Sequence, residues 1–236
     1  MDQAHEIESL MRAKYPILFI TSWEERRVEA CLSKISQNLK RKFFSWSLIQ
    51  GSKPALAAGK TQLPPELEIL AQVSEAEEYT VFLLKDFHPY LKDVRVIRLL
   101  RDLAQKLRGR AQTLVLMGPS FALPTELEKD ITLIEFGLPN VEEIAVSLDR
   151  VIAAVADNPA VNTKLEPAER ELLIKSAQGL TLDEIESVFA RSLVQTKHLS
   201  VDAVLGEKQQ IVRKSGLLEY YPADSRLKDV GGMALL

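Results

Sequence analysis

One acidic residue, Asp86, is the first candidate for chemistry in this sequence. It follows the apolar run 81–84 and Lys85. A short continuous apolar run predicts a strand buried on both faces, which is typical of the centre of a parallel sheet. Open α/β sheets bind ligands at the carboxyl ends of such strands, and a carboxylate there can hold a Mg²⁺ ion that a bound phosphate shares. The sequence must therefore be searched for a phosphate site.

The place where a phosphate loop would be expected is the connection after the first predicted strand, 17–20. Such a loop is a glycine-rich turn ending in Lys and Ser or Thr, whose backbone N–H groups face the phosphates. The sequence there is Thr-Ser-Trp-Glu-Glu, without glycine or lysine. Glu24 and Glu25 add two negative charges that would repel a triphosphate. We therefore predict that this chain neither binds ATP tightly nor hydrolyses it.

A second stretch, Gly59-Lys60-Thr61, has the final residues of a phosphate loop in the wrong context. Pro54 stands where the first glycine should be, and two prolines follow at 64–65. Proline interrupts helices, so no helix can begin at Gly59 and continue through them. We interpret the match as chance, because short motifs outside their structural context are weak evidence.

Without a phosphate to share the metal, Asp86 is interpreted as a residue that hydrogen-bonds the loop at the end of its strand, and no metal ligand is assigned. His88 is given a similar role as a loop hydrogen-bond donor. The other histidines, His5 and His198, are too distant in sequence to form a ligand motif. Ser120 lies in Gly-Pro-Ser-Phe-Ala, which differs from the Gly-x-Ser-x-Gly motif of hydrolases. No catalytic residue is predicted.

The composition excludes several classes of protein. Hydrophobic residues make up 46% and charged residues 27% of the 236 residues, as in ordinary globular proteins. A net charge of −3 gives no electrostatic case for nucleic acid. No apolar run approaches the roughly 20 residues that span a bilayer, and the acidic start 1–8 resembles no targeting peptide. The single cysteine, Cys31, is predicted to be a buried thiol on the apolar side of a helix.

Strands alternate with helices over the first part of the chain. The predicted strands are 17–20, 44–48, 79–84, 113–117 and 131–136, and the predicted helices are 3–15, 22–39, 66–73, 93–108 and 141–156. Ser22 and Glu25 form a predicted capping box for the second helix, and 51–65 is predicted to be a loop. This alternation predicts an α/β domain with a five-stranded parallel sheet.

The pattern changes after Asp157-Asn158-Pro159, beyond which only helices are predicted. Thr181 and Glu184 form a capping box for one of them. We predict an α/β domain at 1–157, a small all-helical lid at 158–216, and at 217–236 a linker with the start of a following module.

Two groups of residues are candidates for contacts with a partner. In helix 93–108, the predicted core face includes Val94, whereas Arg95, Arg98 and Arg101 recur along the exposed side. Tyr220 and Tyr221 end an apolar stretch, 217–221, in a predicted linker, where an uncovered patch would be unfavourable. The alternative is that the arginines are solvated and that the tyrosines pack back on the lid.

The order of these parts resembles an AAA module. The sequence Ala-Gln-Gly-Leu-Thr-Leu-Asp-Glu at 177–184 is similar to the start of an AAA lid helix, and 123–132 resembles the segment after the sensor strand. The segments 214–221 and 227–232 resemble the linker and opening of a second AAA module. With the sequences at 23–26, 44–47 and 85–89, the whole chain resembles the N-terminal part of the cyanobacterial and plastid AAA-type ATPase family known as a hypothetical chloroplast reading frame.

The resemblance implies a P-loop-NTPase-like fold with degenerate AAA chemistry. Asp86 would stand at the Walker-B-like position, with Phe87 where a second acid is expected. Val230 and Gly231 would contact adenine only in the full-length protein, whose working Walker motifs would lie beyond Leu236. ATP and Mg²⁺ are expected as cofactors of that missing module, and none is expected for this chain.

The resemblance also implies a role and a place. The chain would be a non-catalytic module used for assembly, regulation or partner binding, with neighbouring AAA modules, a homo-oligomer or another protein as partner. The expected compartment is the chloroplast stroma or the cyanobacterial cytoplasm, and photosynthetic carbon use is the expected process. The alternative function is a stand-alone protein-interaction domain with an NTPase-like fold and no ATPase activity.

Overall fold

The computed structural model describes residues 3–56, 63–120 and 123–215. The chain divides into two compact units, Met1–Gly137 and Leu138–Leu236. Each unit has its own buried core, and each is described separately.

Within its described residues, the first unit contains six strands and four α-helices. The strands are β1 (Ile17–Thr21), β2 (Lys42–Ser47), β3 (Gly51–Lys53), β4 (Thr80–Leu84), β5 (Thr113–Gly118) and β6 (Ile131–Glu135). The helices are α1 (Gln3–Arg12), α2 (Glu25–Asn38), α3 (Pro65–Glu75) and α4 (Val94–Leu107), with single 3₁₀ turns at His88–Lys92 and Thr125–Leu127.

The strands form one sheet in the order β3-β2-β4-β5-β1-β6. The five predicted strands are mutually parallel, which confirms the predicted sheet. The sixth strand, β3, pairs antiparallel with β2 at the edge. The sequence predicts a loop there, because Gly-Ser-Lys has no apolar alternation. The strand forms nevertheless, since it pairs with β2 through its backbone.

The central strands bury alternate side chains on opposite faces of the sheet, as the period of two requires. Phe82 and Leu84 of β4 lie in one core cluster with the apolar faces of α3 and α4. Val81 and Leu83 lie in the other, with α1 and α2. Every residue of β4 is buried, so the apolar run that defines it is explained by helices on both sides.

Two local predictions in this unit are wrong. Ser22 does not form a capping box with Glu25, because the N-cap of α2 is Glu24 and the Ser22 Oγ accepts from the Glu24 N–H at 3.1 Å. Val94 is exposed rather than in the core, since Asp93 caps α4 and Val96 takes the buried position. Cys31 is half-buried beside the α1–α2 cluster.

Over the part of the second unit that the structure describes, 138–215, the chain forms a bundle of four helices. They are α5 (Val141–Ala154), α6 (Pro167–Ala177), α7 (Leu182–Thr196) and α8 (Val201–Ser215). Ile144 and Leu148 of α5 are fully buried in one core with Leu173 of α6 and Phe189 of α7. The predicted boundary at 157 therefore lies one helix beyond the observed division, because α5 buries its apolar face in the helical unit. The predicted linker at 217–236 lies outside the described residues.

The predicted capping box at the start of α7 is confirmed. The Thr181 Oγ1 accepts from the Glu184 N–H at 3.4 Å, and the Glu184 Oε2 accepts from the Thr181 N–H at 2.8 Å. Two otherwise unsatisfied donors at the helix start are thus paired.

We expect Thr181→Ala to destabilise the helical unit by about 1 kcal/mol, the usual cost of losing a hydroxyl cap. Amides of α7 should then exchange with solvent roughly fivefold faster, as measured by hydrogen exchange in the native state. Thr181→Ser keeps the hydroxyl and serves as the control. Equal exchange rates in the alanine and serine variants would contradict the capping role.

Candidate functional site at the carboxyl edge of the sheet

The carboxyl ends of β1, β4 and β5 meet at one edge of the sheet. The Ser22 N–H donates to the Gly118 carbonyl at 3.0 Å, and the Phe87 N–H donates to the Met117 carbonyl at 3.2 Å. The strand β1 lies between β5 and β6, where the chain order reverses. In open α/β sheets, ligands bind at this kind of reversal.

The connection from β1 to α2 consists of three residues, Ser22, Trp23 and Glu24. Glu24 is 8% exposed, whereas Trp23 is 78% exposed. A phosphate loop needs more residues than this, because its backbone must curve around the phosphates and lead into a Lys-Ser/Thr helix start. The connection is therefore too short for a phosphate loop.

Arg27 holds this short connection against the end of β6. Its Nη1 lies 2.7 Å from Glu24 Oε2 and donates to the Gly137 carbonyl at 2.6 Å. Its guanidinium carbon lies 4.7 Å from the centre of the Phe136 ring, a cation–π distance. The negative charge of the buried Glu24 carboxylate is thereby balanced by the guanidinium. The β1–α2 connection is also joined to the segment that follows β6.

Lys85 makes a second ion pair at the same edge. Its Nζ lies 2.6 Å from Glu29 Oε2 and 3.7 Å from Glu25 Oε2, both on the first turns of α2. The Lys85 side chain is only 17% exposed. A lysine that is largely removed from water needs such counter-charges.

These contacts change the ionisation of Glu29. Burial acts to raise the pKa of Glu29, but hydrogen bonds from Lys85 and Ser45, together with the charge of Lys85, outweigh it and hold this pKa below its ordinary value. The Glu29 carboxylate is therefore stabilised in its charged form.

The structure places Asp86 and His88 at this edge, as the sequence predicts. Asp86 is exposed and has a φ of 50°, a left-handed conformation that aspartate tolerates better than most residues. The His88 Nδ1 is buried and has no hydrogen-bond partner within the described residues, so the predicted loop hydrogen bond is not made at that nitrogen. The His88 Nδ1 lies so close to Gly118 that a Cβ atom added to Gly118 would be 2.5 Å from this nitrogen.

The described residues at this edge do not fit a magnesium–nucleotide complex. The β1–α2 connection contributes a buried carboxylate, and the nearby Lys85 is already paired with two more. Throughout 3–56, 63–120 and 123–215, no group of three or more His, Cys, Asp or Glu residues could hold a metal ion. The stretch Gly59-Lys60-Thr61 lies outside the described residues.

The three arginines proposed as contacts each have an acidic neighbour. Arg95 pairs with Asp93 at 2.6 Å, and its hydrogen bonds hold the pKa of Asp93 at about 2. Arg98 pairs with Asp102, and the Arg101 Nε lies 3.9 Å from Asp130. The exposed side of α4 is therefore a surface of paired charges. The other proposed residues, Tyr220, Tyr221, Val230 and Gly231, lie outside the described part of the chain.

Sequence reasoning missed Arg27 and Lys85. The three-residue spacing of Glu24 and Arg27 is a recognised signal for an ion pair on a helix, and it could have been used. Lys85 meets Glu25 and Glu29 only through the sheet topology, which brings the end of β4 beside α2, so no local pattern could have paired them.

The strand order, the helix directly after β1, the acid after β4 and the separate helical unit define an AAA-type fold, here with an ion-paired turn in place of the phosphate loop. Residues 3–136 match the family described as the SpoVK-like AAA ATPase N-terminal domain, and residues 142–215 match its second domain. The chain therefore belongs to the SpoVK-like AAA ATPase family.

The chain is similar to a curated relative in sequence and to solved structures in fold. The chain is 31% identical over 234 residues to an uncharacterized AAA domain-containing protein ycf46 of Trieres chinensis, covering 97% of this chain and 46% of that protein. Among solved structures, a mutant of Thermotoga maritima RuvB has a TM-score of 0.53 at 16% identity, covering 88% of this chain and 66% of that one. PCH-2 of C. elegans has a TM-score of 0.55 at 13% identity, covering 89% and 68%.

The predicted resemblance to the N-terminal part of the plastid AAA family is confirmed by these relatives. The chain spans about half the length of the curated relatives that it matches. Within the described residues, no helix is both long and apolar enough to cross a membrane.

We expect Lys85→Met to destabilise the first unit by about 1–2 kcal/mol near neutral pH, since the pair is partly buried. The Glu29 pKa is lowered on folding, so the stability gained from Lys85 is present above the unfolded pKa of about 4.5 and is lost as the pH falls through the lower folded value. Urea unfolding of both proteins between about pH 3 and 7 measures this difference.

The exposed Lys92, replaced by Met, is the control, and its effect should be small at every pH. A difference between wild type and Lys85→Met that does not change with pH would contradict the assigned ion pair.

Proposed function

We propose that this chain is a non-catalytic, degenerate AAA-like module of a longer AAA-family ATPase, and that it serves assembly, regulation or partner binding. The observation that carries the proposal is the three-residue β1–α2 connection, whose buried Glu24 is paired with Arg27. The AAA architecture is kept around it, so shape rather than phosphate chemistry is what this module offers.

The proposed contact residues fall into three groups. The arginines of α4 and the tyrosines at 220–221 are retained from the sequence as contact residues. Trp23 adds a large apolar side chain at the carboxyl edge that is 78% exposed. Exposed tryptophan and arginine side chains are the residue types most enriched in interaction hot spots. We propose a neighbouring AAA module or a second copy of the protein as the partner.

For the longer protein, we propose ATP hydrolysis with Mg²⁺ in a module outside this chain. This is supported by the family assignment and by the share of the relatives' length that the chain covers. We propose the plastid stroma or the cyanobacterial cytoplasm as its compartment, supported by the ycf46 names of the relatives. A link to photosynthetic carbon use is retained from the family resemblance.

Isothermal titration calorimetry of this chain with ATP and Mg²⁺ tests the absence of a phosphate site. We expect no binding in the micromolar range, because the carboxylates of Glu24 and Glu25 occupy the edge where phosphates would bind. Lys60→Ala is the matched variant for the alternative stretch. Micromolar binding that this variant abolishes would overturn the non-catalytic assignment and locate the site at 59–61.

The assembly role is tested in the longer protein with two separate double variants, Arg98→Glu with Arg101→Glu, and Tyr220→Ser with Tyr221→Ser. We expect at least one of them to reduce both the assembly size, measured by light scattering, and the ATPase rate. The reason is that both groups contribute contacts to a neighbouring module in this proposal.

Asp102→Ala is the control for the arginine variant, because it breaks the Arg98–Asp102 pair and leaves Arg98 in place. An equal effect of Asp102→Ala would trace the result to the lost ion pair within α4. If both double variants fold normally and neither quantity changes, the proposed contacts are wrong.

A further inference from the structure

At the carboxyl edge, the helix after β1 carries acids where a phosphate-binding site has a lysine. In P-loop folds, a lysine at the start of the helix after β1 meets the phosphates, and an acid after a central strand holds the metal ion. Here the helix after β1 carries the acids Glu25 and Glu29. The strand end carries the cation Lys85, which is followed directly by the exposed acid Asp86. A lysine is thus present at the edge, but it pairs with carboxylates of the protein and not with a bound phosphate.

Two carboxylates balance the positive charge of Lys85. Glu29 is in direct contact at 2.6 Å, and Glu25 adds a second carboxylate at 3.7 Å. Because the Lys85 side chain is largely buried, removing both carboxylates would leave a desolvated cation without a counter-charge. A charge-assisted hydrogen bond to a small anion from solution would then offset the lost carboxylates.

The N-terminus of α2 also favours a nearby negative charge. The first turn of a helix is the positive end of the helix dipole. Glu25 lies in that first turn and Glu29 one turn later. Glu25 therefore serves both the helix start and Lys85, whereas Glu29 lies beyond the first turn and pairs with Lys85.

We propose that Glu25 and Glu29 act as internal anions that keep Lys85 from a solution phosphate, so that this edge is a self-occupied anion site. The inference rests on the proposed non-catalytic function and gives it a specific cause. The ligand class that the edge would accept, once these two carboxylates are neutralised, is a small phosphate or pyrophosphate.

The test is calorimetric titration of inorganic pyrophosphate into the full chain and into its Glu25→Gln, Glu29→Gln double variant. We expect the double variant to bind at least about tenfold more tightly than the wild type, as charge-assisted contacts to a newly unpaired lysine require. Adding Lys85→Met to the double variant should return the affinity to that of the wild type.

Glu66→Gln with Glu68→Gln is the matched control, because it removes two acids from the first turn of α3 and changes the net charge equally. This control should not gain affinity. The single variant Glu29→Gln, which keeps Glu25, should give a smaller gain, and it remains informative if the double variant does not fold.

No gain in either folded variant, or a gain that Lys85→Met does not remove, would overturn the self-occupied site and leave the non-catalytic assignment standing. Tight binding of ATP by the wild type would instead overturn that assignment, so the two failures are distinguishable.

Discussion

The three-residue connection between β1 and α2 is the constraint on which the rest of the carboxyl edge depends. A turn this short leaves the start of α2 directly at the sheet edge and carries the buried Glu24 with it. That carboxylate requires the Arg27 guanidinium, which in turn reaches the Gly137 carbonyl at the end of β6. The edge is consequently closed by short-range polar contacts in the place where a phosphate loop would need to be open.

The second pair at the edge has a different origin, because it depends on the topology of the sheet. Strand β4 is buried on both faces, and its carboxyl end delivers Lys85 to the side of α2. The Lys85–Glu29 contact joins residues 56 positions apart in the chain. It therefore connects the central strand to the helix after β1. The ion pair can form only because the strand order places the end of β4 beside α2.

Most of the fold was accessible from sequence, because its signals are local. The apolar runs predicted all five parallel strands, and the Thr181–Glu184 spacing predicted the cap of α7. Two errors have different physical sources. β3 pairs only through its backbone and so has no side-chain signal, whereas in α4 the Asp93 cap makes Val96, and not Val94, the buried residue. At the candidate site, the absence of a phosphate loop was predictable from Glu24 and Glu25. The contacts of Lys85 were not, since they require the three-dimensional arrangement of β4 and α2.

The two tryptophans of the chain give the first unit its own spectroscopic signal. Trp23 is 78% exposed at the carboxyl edge, whereas Trp46 is 6% exposed and meets the Phe87 ring edge-on with ring centres 6.0 Å apart. The sequence of the helical unit, 138–236, contains no tryptophan. Tryptophan emission from this chain therefore comes from a solvated indole beside the site and a shielded one in the core. A collisional quencher in solution distinguishes the emission of the two indoles, because it reaches the exposed Trp23 more easily than the buried Trp46. Neither indole lies in the helical unit.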